Sequence, residues 1–218
     1  MMRITVFGAS GGTGTEIVRQ ALEAGHQVTA VAADPASLKD LAVPSAGRLA
    51  VETADVTDPE AITAFLEGAD AAVSAIGCRL GGTVAGGPAT IRAEGIRAIL
   101  SAMDKTWVRR LVAVSSGGLF TEPGEPLVAR HVTRPLRRAL LWPGRVDTRR
   151  MEEVIAESAA DWTIMRPPRL LNRPRSRRYR MVLDRYAGAR IGRADLADAV
   201  LRTLRDPGTI GHRVTVSY

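Results

Sequence analysis

The sequence has 218 residues, 45% of them hydrophobic and 24% charged, a balance that suits one globular domain whose core needs neither disulfides nor metals. No apolar run approaches the roughly 18 residues of a membrane span, and the lone Cys78 excludes an intrachain disulfide and any Cys/His metal cluster. The formal charge of +7 is carried almost wholly by arginine, since Lys39 and Lys105 are the only lysines, and it is concentrated in the second half. Such a surface attracts nucleic acid, an anionic ligand or nothing specific. Trp107, Trp142 and Trp162 are not interleaved with the arginines, so nucleic acid is not the expected partner.

In chain order, residues 3–7 have the β-branched and aromatic bias of a short buried strand. No leader precedes them, so the cytoplasm is the expected location. The strand runs into a glycine turn, with Gly8, Gly11, Gly12 and Gly14 in the spacing Gly-x-x-Gly-x-x-Gly, and out of it comes a helix whose Ile17, Val18, Ala21 and Leu22 share one face. Strand, glycine turn and helix together predict a phosphate site, where backbone N–H groups and the helix dipole favour an anion. Gly8 takes the positive φ of a tight turn, Gly11 or Gly12 leaves the backbone bare against a diphosphate, and Gly14 lets helix and strand pack closely. Ser10 and Thr13 lie in the same turn.

The alternation continues. Residues 27–32 read as a second strand, a helix starting at Pro35 runs to Leu41, and 48–53 form a third strand ending at Asp55 and Val56. Pro59 opens a helix bearing Ile62, Phe65 and Leu66. Residues 70–75 are a fourth strand closing on Ile76 and Gly77, 88–103 a long helix, and 110–114 a fifth strand ending in Ser115 and Ser116. This order implies a Rossmann-like, doubly wound parallel sheet in one domain over 1–218, with ligands at the carboxyl ends of the strands. Residues 119–146 suggest a flap over that crevice, with a helix within 132–141, and Asp147 is expected to cap a helix whose apolar face is Met151, Val154 and Ile155. A sixth strand over 162–165 stops at Pro167 and Pro168. A peripheral strand at 179–183 has no evident partner. A helix at 195–204 and a closing strand at 213–217 complete a small C-terminal, substrate-side elaboration.

Several short motifs in order carry a resemblance. They are the turn from Gly8 to Gly14, Asp55, Ser74-Ala75-Ile76-Gly77, Ser115-Ser116, the block from Trp162 to Pro168, and Gly192-Arg193-Ala194-Asp195. With them the chain resembles the atypical short-chain dehydrogenases of the NmrA-like, NAD(P)H-binding group, which includes flavin and biliverdin-IXβ reductases. The resemblance implies NADP or NAD as cofactor, with Asp55 and Val56 near the adenine, and Ala75, Ile76 and Gly77 along the ribose and diphosphate. It also places the turn from Arg166 and Pro167 to Leu170 near the nicotinamide, and Ser115 is a further candidate for binding the cofactor.

The departures are informative. Relatives preferring NADPH usually end the second strand in arginine, where this chain has Ala33 and then Asp34. Asp34 either accepts from a ribose 2′-OH or caps the Pro35 helix, while Ser37 and Lys39 remain candidates for a phosphate. No Tyr-x-x-x-Lys pair exists, and Thr148 stands where relatives often keep a lysine. Ser116 and Thr148 are therefore the candidate catalytic positions, with Arg149, Arg150 or Arg169 as charges for an anionic acceptor. Cys78 is a thiol at a strand end or a packing residue, and His131 a flap proton relay or an exposed histidine. Two functions follow: a reductase delivering hydride to a small-molecule electron acceptor such as a flavin or quinone, or a redox-sensing regulator acting through a protein partner. No membrane association is expected, and monomer or dimer are both open.

Overall fold

The computed structural model describes residues 1–38, 47–77, 91–117, 120, 123, 124, 126 and 142–218, with backbone alone at 36, 37 and 142–145. Four buried residues in a row, Ile4, Thr5, Val6 and Phe7, cover both faces of β1 (Arg3–Phe7), as expected of a central strand, with the Thr5 hydroxyl satisfied by Phe65 O. It pairs in parallel with β2 (Gln27–Val31) on one side and β4 (Ala71–Ser74) on the other, so that Phe7 lies opposite both Val31 and Ser74. Outward from β2 lies β3 (Leu49–Glu52). Outward from β4 come β5 (Arg110–Val114), β6 (Asp161–Arg166) and β10 (His212–Ser217), all parallel. The sheet order is β3-β2-β1-β4-β5-β6-β10-β8, ending on the edge strand β8 (Arg180–Leu183), and it reverses between β1 and β4.

Helices cover both faces. On one, α1 (Gly12–Glu23) and α5 (Arg193–Thr203) pack through Ile17, Val18, Leu196 and Val200 onto Ile4 and Val6. On the other, α3 (Ile91–Thr106) and α4 (Trp142–Ala156) bring Ile96, Ile99, Met151 and Ile155 against Phe7, Leu111 and Ile164. The short α2 (Pro59–Thr63) is capped by Asp58, which accepts from the Glu60 and Ala61 amides.

The predicted architecture holds: the peripheral strand finds its partner, two short strands were not foreseen, and two local expectations are corrected. The strand at 179–183 is β8 (Arg180–Leu183), an antiparallel edge strand on β10, with Val214 opposite Leu183. Two three-residue strands, β7 (Arg169–Leu171) and β9 (Arg190–Gly192), form a separate parallel pair and are too short to show a period in the sequence. Pro35 opens only a 3-10 turn, Pro35–Leu38, beyond which 39–46 lie outside the described residues. Finally, α4 starts at Trp142, because Pro143 is tolerated in a first turn. Asp147 is thus inside α4, not its cap, and the expected flap loses its last residues to that helix. The rest of the flap, apart from 120, 123, 124 and 126, lies outside the described residues, as do Lys39, Cys78 and His131.

Candidate functional site

At the reversal point the glycine turn is dictated by steric contact. Gly8 has φ +76, and a Cβ there would stand 2.8 Å from the Ala75 carbonyl carbon, so the turn after β1 lies directly on the end of β4. A Cβ on Gly14 would meet the Gly8 oxygen at 2.2 Å, which only glycine avoids. The Gly8 and Ala9 amides donate to Val31 O, the Gly11 amide to Gly8 O, and Thr15 Oγ1 to Ala9 O, fixing the turn from within.

What remains is an uncapped helix end. Gly11 occupies the N-cap position of α1 with extended backbone, no side-chain cap and no acidic residue in the first turn. The amides of Gly12, Thr13 and Gly14 find no acceptor among the described residues. Helix ends normally satisfy such donors with a cap. Here Gly11 and Gly12 are exposed, and a Cβ on Gly11 would come no closer than 3.4 Å to another atom. Bare donors, a positive dipole end and open space fit a dinucleotide diphosphate. Ser10 and Thr13 flank the turn half-buried.

Around this point the strand ends build a rim. Ala33 and Asp34 are exposed after β2. After β3, the exposed Asp55 accepts from Thr57 Oγ1 at 2.7 Å and from Thr57 N at 2.9 Å, bonds that hold its carboxyl below the ordinary value. Val56 and Ile76 both close on Gly95 of α3, where a Cβ would lie 3.0 Å from Ile76 Cδ1. Gly77 is exposed at the end of β4.

An arginine unremarked in the sequence stands on this rim. Arg92 donates from Nε to Ile76 O at 3.3 Å and from Nη1 to Thr148 Oγ1 at 2.6 Å. Thr148 is fully buried, so its hydroxyl holds Arg92 instead of opening to the crevice. Beside it the buried Asp147 accepts from the Arg92 amide at 3.0 Å and the Ala93 amide at 2.9 Å, capping α3 from another helix. By contrast Arg149, paired with Glu153, Arg150 and Arg169 are exposed.

The ends of β5 and β6 are tied together. Ser115 N donates to Met165 O and Gly117 N to Pro167 O, and a Cβ on Gly117 would lie 2.7 Å from Arg166 O. The Ser115 hydroxyl donates to Glu152, a carboxylate only 3% exposed that also takes Arg166 Nε at 3.1 Å and Arg213 Nε at 3.4 Å. Arg166 in turn lies 4.1 Å over the Phe120 ring. Ser115 and Arg166 therefore shape the floor through Glu152. Ser116 is half-buried and its hydroxyl makes no hydrogen bond among the described residues.

Tyr179 and Tyr218 are engaged elsewhere. Tyr179 donates to Asp198, and burial followed by that bond raises its phenol well above the ordinary value. Tyr218 donates to Asp195, raised in the same direction, first by burial. Among the described residues no group of three or more His, Cys, Asp or Glu could hold a metal, and no helix is long and apolar enough to cross a membrane.

Comparison with known proteins places the chain in a family. Residues 8–207 match the model of a family described as NAD(P)H-binding. The uncharacterized protein YwnB of Bacillus subtilis is 27% identical over 99% of this chain and 98% of its own. A candidate exported protein of Burkholderia pseudomallei superposes with a TM-score of 0.80 at 25% identity, covering 100% of both chains. A wide-type short-chain dehydrogenase/reductase of Veillonella parvula, solved in complex with NADP, shares the fold with a TM-score of 0.77 at 18% identity, covering 100% of this chain and 94% of that one.

Proposed function

The chain belongs to the NAD(P)H-binding family, and from that premise we propose that it is a reductase passing hydride from NADH or NADPH to a flavin, quinone or similar conjugated acceptor. The observation that carries this is the chemistry of the rim. No tyrosine is followed four residues later by lysine, and Tyr179 and Tyr218 spend their hydroxyls on Asp198 and Asp195. Reduction of an isolated carbonyl needs an acid at the developing alkoxide. A conjugated acceptor spreads the incoming charge and takes its proton from water, so positioning supplies most of the acceleration.

When bound, the reduced nicotinamide supplies the hydride. The amides of Gly12, Thr13 and Gly14 hold the diphosphate, with Gly8 and Gly11 shaping the turn around it and Ser10 beside it. Asp34, Asp55 and Val56 border the adenosine, Ala75, Ile76 and Gly77 the ribose and diphosphate, and Pro167 with the Ser115 and Arg166 floor the nicotinamide. The open Ser116 hydroxyl orients the carboxamide or the acceptor. Arg92 offers positive charge to an anionic acceptor, and Thr148 acts as a positioning residue through it.

Loss of nicotinamide absorbance with a panel of flavins and quinones tests the reading. Turnover is expected, with Arg92→Gln raising KM for anionic acceptors more than it lowers kcat. Saturable nucleotide binding with no turnover of any acceptor overturns it in favour of a redox-sensing regulator that acts through a protein partner.

A further inference from the structure

Beside the glycine turn lies a cleft of about 670 Å³, walled by the outer face of α1, the loop at 172–175 and the first residues of α5. Its charges are unequally satisfied. Arg19 is paired with Glu16 and Glu23, and Arg175 bonds Gln20 and lies 3.4 Å from Glu23. Arg193 reaches only the neutral Asn172 Oδ1, and neither it nor Arg173 has a carboxylate partner among the described residues. Four arginines against two glutamates leave two positive charges uncompensated among the described residues, Arg193 against Gly12 and Arg173 close to Gly192.

The arm of Arg193 lies across the phosphate turn. Its Cδ and Nε stand 3.2 Å from where a Cβ on Gly12 would be, so glycine at that position leaves room for the arginine. The backbone bearing it is pinned. Gly192 N donates to the Tyr218 hydroxyl at 3.0 Å, which donates to Asp195 at 2.8 Å. Asp195, fully buried, also accepts from Ser176 N, Ser176 Oγ and Arg177 N, which joins the 172–177 loop to the start of α5. Both walls around Arg193 are thereby one hydrogen-bonded unit.

We propose that Arg193, with Arg173 beside it, is a clamp on the cofactor's diphosphate, closing over the anion from the side opposite the α1 amides. This rests on the dinucleotide reading above. A diphosphate linking two nucleosides carries two negative charges, equal to the cleft's excess, and a guanidinium fork matches phosphate oxygens in shape. The clamp reads the diphosphate and not the adenosine ribose, so it acts equally on NADH and NADPH.

The test is fluorescence titration of NADH and NADPH into the wild-type chain, Arg193→Gln and Arg193→Lys. Loss of a charged hydrogen bond predicts about tenfold or greater weakening of both nucleotides by Arg193→Gln, a shallower dependence on salt, and partial recovery in Arg193→Lys. Free-protein melting temperatures should stay within about 2 °C of one another, as for other surface substitutions. Saturable wild-type binding with unchanged affinity in Arg193→Gln overturns the clamp and leaves the dinucleotide reading standing. Weakening of NADPH alone overturns it as well, since Arg193 would then read the 2′-phosphate. Absence of wild-type binding removes the dinucleotide reading and the clamp with it.

Discussion

Asp147→Ala should destabilise the protein far more than an ordinary helix-surface change. The carboxylate is 1% exposed and accepts from the amides of Arg92 and Ala93 at the start of α3. Hydrogen bonds to a charged group contribute about 1.5–3 kcal/mol each, and losing a cap costs about 0.5–2 kcal/mol. With two amides left without an acceptor, the loss should be about 2–4 kcal/mol. For a chain of this size that corresponds to a fall of about 5–15 °C in melting temperature. Urea titration followed by circular dichroism should show a lower midpoint with an unchanged slope, since the surface exposed on unfolding is the same. Asp147→Asn, which keeps an acceptor but loses the charge, should fall between. A change within about 0.5 kcal/mol for Asp147→Ala would refute capping across helices and the anchoring of Arg92 that depends on it.

Gly14→Ala sets a methyl against backbone atoms that cannot yield, so it should cost at least about 1–3 kcal/mol and weaken nucleotide binding together, as thermal melts with and without NADH will show. Ala33→Arg, at the exposed end of β2, should raise affinity for NADPH relative to NADH, and equal affinities would place that position away from the adenosine ribose. Burial and then the charge of Arg205 hold the His26 imidazole below its ordinary value, while its Nδ1 accepts from Met2 N at 3.0 Å. The neutral ring is favoured in the folded state, so its contribution is complete above the unfolded value of about 6.5 and is lost as pH falls from there through the lowered folded value. Urea midpoints measured at several pH values should show that fall, and His26→Gln should reduce it.

The legible parts of the chain were those with a local cause. The glycine spacing identified the turn because positive φ at Gly8 and close approach at Gly14 each demand glycine, whatever the rest of the fold does. The strand at Arg110–Val114 matched its expected bounds because its apolar run is stopped on both sides. Arg92 was invisible because its partners, Ile76 O and Thr148, lie 16 and 56 residues away and no periodicity links them. Asp147 misled for a related reason: an aspartate before an apolar face signals a local cap, and this one caps a helix 54 residues earlier. Asp195 lay inside a recognised motif, but its bonds to Ser176, Arg177 and Tyr218 come from loop and terminal segments without regular pattern.

The central claim is that bare amides at the start of α1 hold a pyridine dinucleotide. It is tested most directly by calorimetric titration of NADH and NADPH into the wild-type chain and Gly11→Asp. A Cβ at Gly11 meets nothing closer than 3.4 Å, so the variant should melt within about 2 °C of wild type. Its carboxylate would nonetheless occupy the anion's place. Saturable heat with the wild type and none with the variant is the predicted result, and no saturable heat with the wild type, or equal affinity in the two, would contradict it.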